Sequence, residues 1–446
     1  MSGPYNGQSN VDGTSSLEKR NLPENGSAEE TRVISSALHA QPSPFPEGGL
    51  RAWCVVAGTS FVVFCNIGYA NAFGSLIAYS VYQEYYSTHQ LRHESQSAIA
   101  WIGSLQMSLL FGGMLFGGPL FDRYGERVMW PPSIVYIFTV FMTSLCTKLW
   151  HFLLCQGILG GLAMGFGLGP AMAACGHYFR KRRATAMGLT VAGSSVGGVI
   201  LPIALSRMLY KTSLGFGWSI RIIAFLMLAV LVPSCCAIRA RLPPRKEQFF
   251  IRKAFNERFF VCIAGSAWCI MMGMFTPFFY LPTYAVEHGM SQTLSSYLIA
   301  ILNGASFFGR VIPGILADKI GPLNMISMAA FGTGILILCW HAITTSAAII
   351  VFSALYGFFS GAIISLISAV FASIPNNPQN IGTYLGMGMS FTGIAALIGP
   401  PVNGALATHY KNFGPSIFLS GAFVLIGAFG LLFARHLTGK GLFAKM

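Results

Sequence analysis

The 446-residue chain is too apolar for an ordinary soluble protein. Hydrophobic residues make up 54% of the sequence and charged residues only 9%, whereas about 25% charged residues is usual in soluble domains. The net charge of +14 would suit nucleic acid. The basic residues, however, lie between apolar segments instead of lining one polar face, which argues against nucleic-acid binding. The composition therefore predicts an integral membrane protein.

The first 46 residues form a polar tail rich in Ser, Asn, Gly, Pro and Glu. Such a segment cannot bury enough apolar surface to fold, so residues 1–46 are predicted to be a disordered tail. The tail lacks the basic and apolar regions of a cleaved signal peptide. The first membrane helix is therefore expected to direct insertion.

About twelve apolar segments follow, each near the ~20 residues that cross the hydrocarbon of a bilayer. They cover residues 52–77, 97–119, 128–147, 151–173, 184–206, 218–237, 259–282, 294–316, 323–343, 346–372, 382–406 and 414–435. A basic linker, 239–258, separates two six-helix halves, 47–238 and 259–437, and a short tail, 438–446, ends the chain. The predicted fold class is all-α integral membrane, with twelve transmembrane helices in two pseudo-symmetric halves.

Lys and Arg are distributed unevenly across the predicted loops. On the side of the N-terminal tail lie Arg51, Arg123, Arg127, the run Arg180–Arg183, the central linker, Lys319, Arg435, Lys440 and Lys445. The opposite side keeps Arg92, Lys148, Arg207, Lys211, Arg221 and Lys411. Positive charge stays inside, so both termini are expected in the cytosol. The plasma membrane is the expected location, and the vacuolar membrane is left open.

One charged motif occurs twice, at the predicted ends of the second and eighth segments. Gly118, Asp122, Arg123 and Gly125 recur 196 residues later as Gly314, Asp318, Lys319 and Gly321, and Arg127 extends the first copy. The constant offset indicates an internal duplication. We expect the motif to be a tight charged turn after each helix, whose charges pair with helix ends of the other half or of the same half and hold the cytosolic side shut. The alternative is that these charges only set the topology of the chain.

A second echo links the fifth and eleventh segments. Gly188 and Pro202 recur as Gly386 and Pro400 at an offset of 198 residues, and each helix is expected to end near its proline. Two parallel six-helix repeats with this loop motif resemble the major facilitator superfamily. That resemblance implies a substrate site near the membrane midplane, between the halves.

Two further stretches narrow the resemblance. The stretch Pro46–Trp53, PEGGLRAW, is similar to a motif at the first helix of monocarboxylate transporters, in the form found in fungi. The stretch Tyr178–Gly188, followed by Ala192–Gly197, is similar to that family's second signature. A basic anchor and close helix packing would explain the same residues. The resemblance implies alternating access by a rocking motion of the two halves.

Arg310 is the one ionisable residue deep inside a predicted helix. Moving an arginine to the bilayer centre costs about 2.5–3.5 kcal/mol on insertion scales, so its side chain must face a cavity or a partner. Its planar fork would suit an anionic or hydrogen-bonding group of a substrate. Alternatively, it could bind backbone carbonyls at a break near Pro313.

The monocarboxylate transporters place an aspartate one turn before this arginine and a lysine in the first helix. Here those positions fall on Ser306 and Asn71, so a simple lactate–proton symporter is not expected. Other polar residues that could line the site, or bridge helices instead, are Asn303, Gln106, Tyr280 and Tyr384. The Phe and Met residues of 271–279 are expected to face lipid or core.

The sequence thus predicts a secondary active transporter of a small organic molecule. No phosphate-binding loop of an ATPase is present, and no embedded base, nucleophile or metal cluster suggests an enzyme or a cofactor. Two alternatives remain: an efflux pump for a hydrophobic secondary metabolite on the same fold, and a non-transporting membrane sensor or scaffold. The expected partners are the lipid bilayer and the substrate. A coupling proton or other ion is left open, and a monomer is the expected transport unit.

Overall fold

The computed structural model describes residues 45–71, 81–246 and 248–439, and the regular elements in these ranges are helices. Almost all of the predicted N-terminal tail, residues 1–44, lies outside the described residues. So do residues 72–80, which include the outer end of the first predicted segment, residue 247 of the linker, and residues 440–446 of the C-terminal tail.

Within the described ranges, eleven helical segments are long and apolar enough to cross a membrane, and one of them, Ala98–Thr143, contains two helices joined by the 3-10 turn Gly125–Met129. We number the twelve helices α1 (Leu50–Gly68), α2 (Gln96–Tyr124), α3 (Trp130–Thr143), α4 (Leu149–Tyr178), α5 (Arg183–Lys211), α6 (Gly215–Ala237), α7 (Arg258–Glu287), α8 (Gln292–Ile320), α9 (Pro322–Trp340), α10 (Ser346–Ser373), α11 (Ile381–Tyr410) and α12 (Gly414–His436). A short helix, Val81–Thr88, precedes α2.

Several helices are longer than predicted. The expectation that α5 and α11 end near Pro202 and Pro400 is wrong, because both helices continue through these prolines. Proline removes one backbone donor, and membrane helices tolerate the loss because neighbouring groups satisfy the freed carbonyl.

The aspartate of each charged motif lies in the helix and not in the turn that follows it. Asp122 lies in the last turn of α2 and Asp318 in the last turn of α8, so neither belongs to the turn itself. The chain reverses only at Gly125 and Gly321, whose φ angles of 68° and 97° favour glycine. Each aspartate is therefore fixed on a rigid helix end.

The first six helices meet the last six mainly along two pairs, α2 with α11 and α5 with α8. We call this contact the seam. Its backbones approach very closely: a Cβ added at Gly118 would collide with the carbonyl of Gly382, and one at Gly188 would lie 2.5 Å from the carbonyl oxygen of Arg310. Small residues allow such packing in membranes, where burial of apolar surface does not drive helices together.

The outer surface of the bundle is apolar. Large side chains there remain well exposed, for example Ile134 and Phe429 at 62% each. A surface of this kind requires a hydrocarbon solvent. The bundle is therefore built to lie in a bilayer.

We expect Gly118→Ala to destabilise the folded protein by about 1–3 kcal/mol, the usual cost of overpacking, because the added methyl group has no space beside Gly382. Thermal unfolding of the purified protein in detergent measures the change. Gly112→Ala is the matched control, since a Cβ there meets no atom within 4 Å. Equal melting temperatures for the two variants would contradict the close contact.

Candidate functional site

The Asp122 carboxylate binds the first turn of α11, across the seam. It accepts hydrogen bonds from the amide of Gly382 at 3.1 Å, from the amide of Thr383 at 2.7 Å and from the hydroxyl of Thr383 at 2.8 Å. The first amides of a helix have no partner within the helix and carry partial positive charge. A carboxylate is their natural ligand, and hydrogen bonds to a charged acceptor are the strong ones. We call this contact the Asp122 latch.

The second copy of the motif makes the same contact in the opposite sense. Asp318, at the end of α8, accepts hydrogen bonds from the amides of Ala184 and Thr185 at 2.9 and 3.0 Å, and from the hydroxyl of Thr185 at 2.5 Å. Here α8 binds the first turn of α5. We call this contact the Asp318 latch, and the end of the bundle that holds both latches the latch end.

The basic residues of the motif lie outside these contacts. The Arg123 guanidinium stacks over the ring of Tyr124 at 5.9 Å, and Arg127 and Lys319 are exposed. The structure thus brings the acidic member of each motif into the seam and leaves the basic members at the surface.

A cleft opens far from the latches. It is lined by Ala70, Asn71, Gly103, Met107, Phe275, Phe278, Phe279 and Ile299. Gly103 precedes Asp122 by 19 residues and Ile299 precedes Asp318 by 19 residues, which is about 28 Å along each helix. The cleft therefore lies toward the other end of the bundle, between helices of both halves.

Predicted polar residues follow the seam from the cleft toward the latch end. Asn303 and Arg310 are seven residues apart and share the face of α8 that meets α5, whereas Ser306 Oγ lies beside Gly361 of α10. Gly198 of α5 lies at the end of this row that is nearest the cleft. A Cβ there would lie 2.6 Å from Asn71 Nδ2 and 3.1 Å from Asn303 Oδ1.

Arg310 joins the two halves in the middle of the seam. Its Nη1 donates to the carbonyl of Val191 at 3.1 Å and to the hydroxyl of Ser194 at 2.5 Å, and the side chain is 1% exposed. The prediction that it must meet a cavity or a partner is thus answered by partners on α5. The sequence left open that Arg310 binds backbone carbonyls near Pro313. The carbonyl that it contacts belongs instead to Val191, in the other half.

Several buried polar atoms around Arg310 have no hydrogen-bond partner among the described residues. They are Asn303 Oδ1, Ser306 Oγ, Ser195 Oγ and Arg310 Nε. Leaving such an atom buried without a partner costs about 1–3 kcal/mol, and native proteins seldom do so without a reason.

Three predicted lining residues bind elsewhere. The Gln106 amide contacts Met164 Sδ at 3.6 Å, the Tyr280 hydroxyl donates to the Pro400 carbonyl at 2.8 Å, and the Tyr384 hydroxyl donates to Glu257 Oε1 at 2.9 Å. The first two contacts bridge helices, which is the alternative that the sequence left open.

Phe275, Phe278 and Phe279 are buried among the core residues, as expected for 271–279. The same three phenylalanines also line the cleft, which the sequence did not predict. The available signal was the break in α7 at Phe275, followed by Thr276-Pro277, where one helix ends and the next begins. A break in a membrane helix is tolerated where it lines a cavity.

A helical membrane bundle of two halves with a cleft between them is the architecture of transporters for small molecules. The chain matches the sequence model of the Major Facilitator Superfamily over residues 59–373 and 314–443. It belongs to this superfamily, so the predicted fold class and the predicted transport function are confirmed.

Curated relatives and solved structures agree with this assignment. The chain is 52% identical to the aspyridones efflux protein of Emericella nidulans, covering 93% of this chain and 84% of the relative. It is 39% identical to the agnestins efflux protein of Paecilomyces divaricatus, covering 93% and 94%. The structure of the human organic anion transporter MFSD10 shares the fold with a TM-score of 0.68 at 14% identity, covering 86% of this chain and 100% of that one.

We expect Asp318→Asn to loosen the latch end, because the neutral amide loses charge-assisted hydrogen bonds worth about 1.5–3 kcal/mol. A cysteine introduced as Ala184→Cys, which is buried beside Asp318, should then react with a maleimide about tenfold faster. Glu126→Gln is the control, since Glu126 lies at the same end and binds Arg239 and Ala240. Equal labelling in all backgrounds would argue against a latch.

Proposed function

We propose that this chain exports a hydrophobic small organic metabolite by alternating access. One observation carries the proposal, the order of three features along the seam. An aromatic cleft lies at one end and two latches close the other, and buried polar atoms without partners lie between them. Binding in the cleft and release of the latches would expose the seam to each side of the membrane in turn. We further propose that the latches face the cytosol, as the distribution of Lys and Arg predicts, and that the plasma membrane is the location.

The cleft suits a flat, largely apolar molecule. Three phenylalanines supply aromatic faces, and Asn71 supplies an amide that could hydrogen-bond to a carbonyl or hydroxyl group. Ligand sites commonly combine apolar walls with a few polar groups that set orientation. Aromatic pairs contribute about 0.5–1.5 kcal/mol beyond the area they bury, so such walls favour ring-containing metabolites over small carboxylates.

Arg310 supports recognition of an acidic or hydrogen-bonding group on that metabolite. Ionisable residues inside the membrane are functional by default, and its Nε remains without a partner in the described structure. A substrate oxygen that reached this guanidinium would compete with Val191 and Ser194 for its protons. That competition would weaken one of the contacts between α5 and α8.

Export is favoured over uptake by the two relatives that are named efflux proteins, for aspyridones and for agnestins. Both are similar to this chain over more than nine tenths of its length. We therefore propose a fungal secondary metabolite as the substrate class. The sensor or scaffold alternative loses support, since these relatives are named for transport.

The second candidate is uptake of a monocarboxylate, within a fungal branch that resembles the monocarboxylate transporters. Arg310 occupies the arginine position of that family's site, which favours the idea. Ser306 and Asn71 stand where its aspartate and lysine are expected, which removes two of the three coupling charges. The uncharged cleft supports the efflux proposal better.

The two candidates are separated by metabolite profiling of cells with and without the chain, followed by flux assays in inside-out vesicles. Efflux predicts accumulation of an aromatic metabolite inside the vesicles. Uptake of lactate or pyruvate by intact cells, with no change in secreted metabolites, would reverse the proposal. A proton gradient imposed on the same vesicles tests whether transport is coupled to protons.

We expect both Arg310→Ala and Arg310→Lys to abolish transport while leaving the amount of protein in the membrane normal, because lysine lacks the planar fork. Flux in vesicles, normalised to protein, is the measurement. Arg207→Ala is the control, since Arg207 is exposed at the predicted outer side. Full transport by both Arg310 variants would exclude a substrate role.

Phe278→Ala should raise the KM for an aromatic metabolite by about twofold to tenfold, the equivalent of one lost aromatic contact. Phe433→Ala, at a side chain 58% exposed on the outer surface, should leave the KM unchanged. Concentration-dependent flux of both variants decides between a cleft that binds substrate and one that does not.

A further inference from the structure

The linker between the two halves enters the latch end. Its described residues 241–246 and 248–249, which we call the linker strap, carry two arginines that bind the bundle. Arg245 is 3% exposed, although it lies in a segment that the sequence predicts to be a polar loop. A buried guanidinium is stable only when hydrogen bonds replace its water.

Arg245 finds these bonds at the Asp122 latch. Its backbone amide donates to the backbone carbonyl of Asp122 at 2.8 Å. Its Nη1 donates to the Thr383 hydroxyl at 2.6 Å and to Asn380 Oδ1 at 3.3 Å. Its Nη2 donates to the carbonyl of Phe249 at 2.9 Å, and also to that of Gln248. Arg245 therefore contacts both sides of the seam, α2 through its backbone and α11 through its side chain.

The two latches differ in where their arginines come from. At the Asp318 latch, Arg183 of α5 donates through Nη1 to the carbonyl of Ala372, at the end of α10, at 2.7 Å. An offset of 198 residues relates Thr185 to Thr383, and the same offset relates Arg183 to Ile381. The second repeat therefore has an isoleucine where the first has the arginine.

The linker strap supplies the missing guanidinium groups. Arg241 donates through Nη1 to the carbonyl of His177, near the end of α4, at 2.9 Å, which parallels the contact of Arg183 with the end of α10. Arg245 reaches the threonine that also binds the aspartate. Cations at helix C-termini and at carboxylates are favourable, so the strap completes a latch that the repeat leaves incomplete.

We infer that the linker strap stabilises the Asp122 latch, and that this latch closes only with the strap docked. The inference rests on the proposed alternating access. If α2 separates from α11, the backbone and side-chain partners of Arg245 move apart, and a buried arginine without partners is costly. Docking of the strap and closure of the latch must then occur together. The Asp318 latch has Arg183 within its own repeat and does not need the strap. Closure of the two latches therefore depends on different segments of the chain.

Hydrogen exchange of the purified, substrate-free protein tests the inference, read by mass spectrometry at the two helix starts. The amides of Gly382 and Thr383 have no helical partner and are protected by Asp122. In Arg245→Ala we expect their exchange to accelerate at least about tenfold, the effect of losing roughly 1.4 kcal/mol. The amides of Ala184 and Thr185, protected by Asp318, should keep their rates.

Lys246→Ala is the matched control, because Lys246 is the exposed neighbour in the same strap. Arg245→Lys retains the charge without the fork and should give an intermediate acceleration; it also serves if the alanine variant does not fold. Unchanged exchange at Gly382 and Thr383, or equal acceleration at both helix starts, would overturn the inference. Because no substrate is used, failure of the proposed export would leave this result unaffected.

Discussion

The structure depends on carboxylates that bind the first turns of helices in the opposite half. Asp122 and Asp318 each satisfy two amides and one hydroxyl that a helix start would otherwise leave without partners. In a membrane, where apolar burial does not press helices together, such directional bonds carry much of the specificity of assembly. These hydrogen bonds can also open without leaving the helix amides unpaired, because water can replace a carboxylate at a helix end. A contact of this kind is strong when closed and replaceable when open, which a moving seam requires.

In the rest of the seam, the buried polar atoms are less fully hydrogen-bonded than at the latches. Around Arg310 the polar atoms are buried but only partly satisfied, and Arg310 itself is held by just two groups of α5. The resulting free-energy cost is tolerable only if a ligand or water removes it during part of the cycle. In the proposed export, the aromatic cleft would hold an apolar body and the polar seam would hold a polar group on the same molecule.

The fold was predictable because hydropathy and an internal repeat are properties of the sequence itself. The acidic residues of the latches were found through the same repeat. Pairing of their charges with helix ends was also predicted, but not with which helices, since the backbone amides of Gly382 or Ala184 leave no trace in residue types. The aromatic cleft was missed because a phenylalanine on a membrane helix looks the same whether it faces lipid, core or cavity. Arg245 was missed because a basic linker normally lies in water, and only the tertiary contacts show that one of its arginines is buried.

The glycine contacts in the seam have a consequence for leakage. Where Gly118 meets Gly382 and Gly188 meets the Arg310 backbone, main chain touches main chain, and no side chain is present that could rotate to make a narrow opening. Packed interfaces of this sort switch between discrete arrangements and do not deform gradually. The two halves must therefore part as whole helices or remain sealed. Under the proposed alternating access, a carrier with such a seam would move its cargo in single cycles.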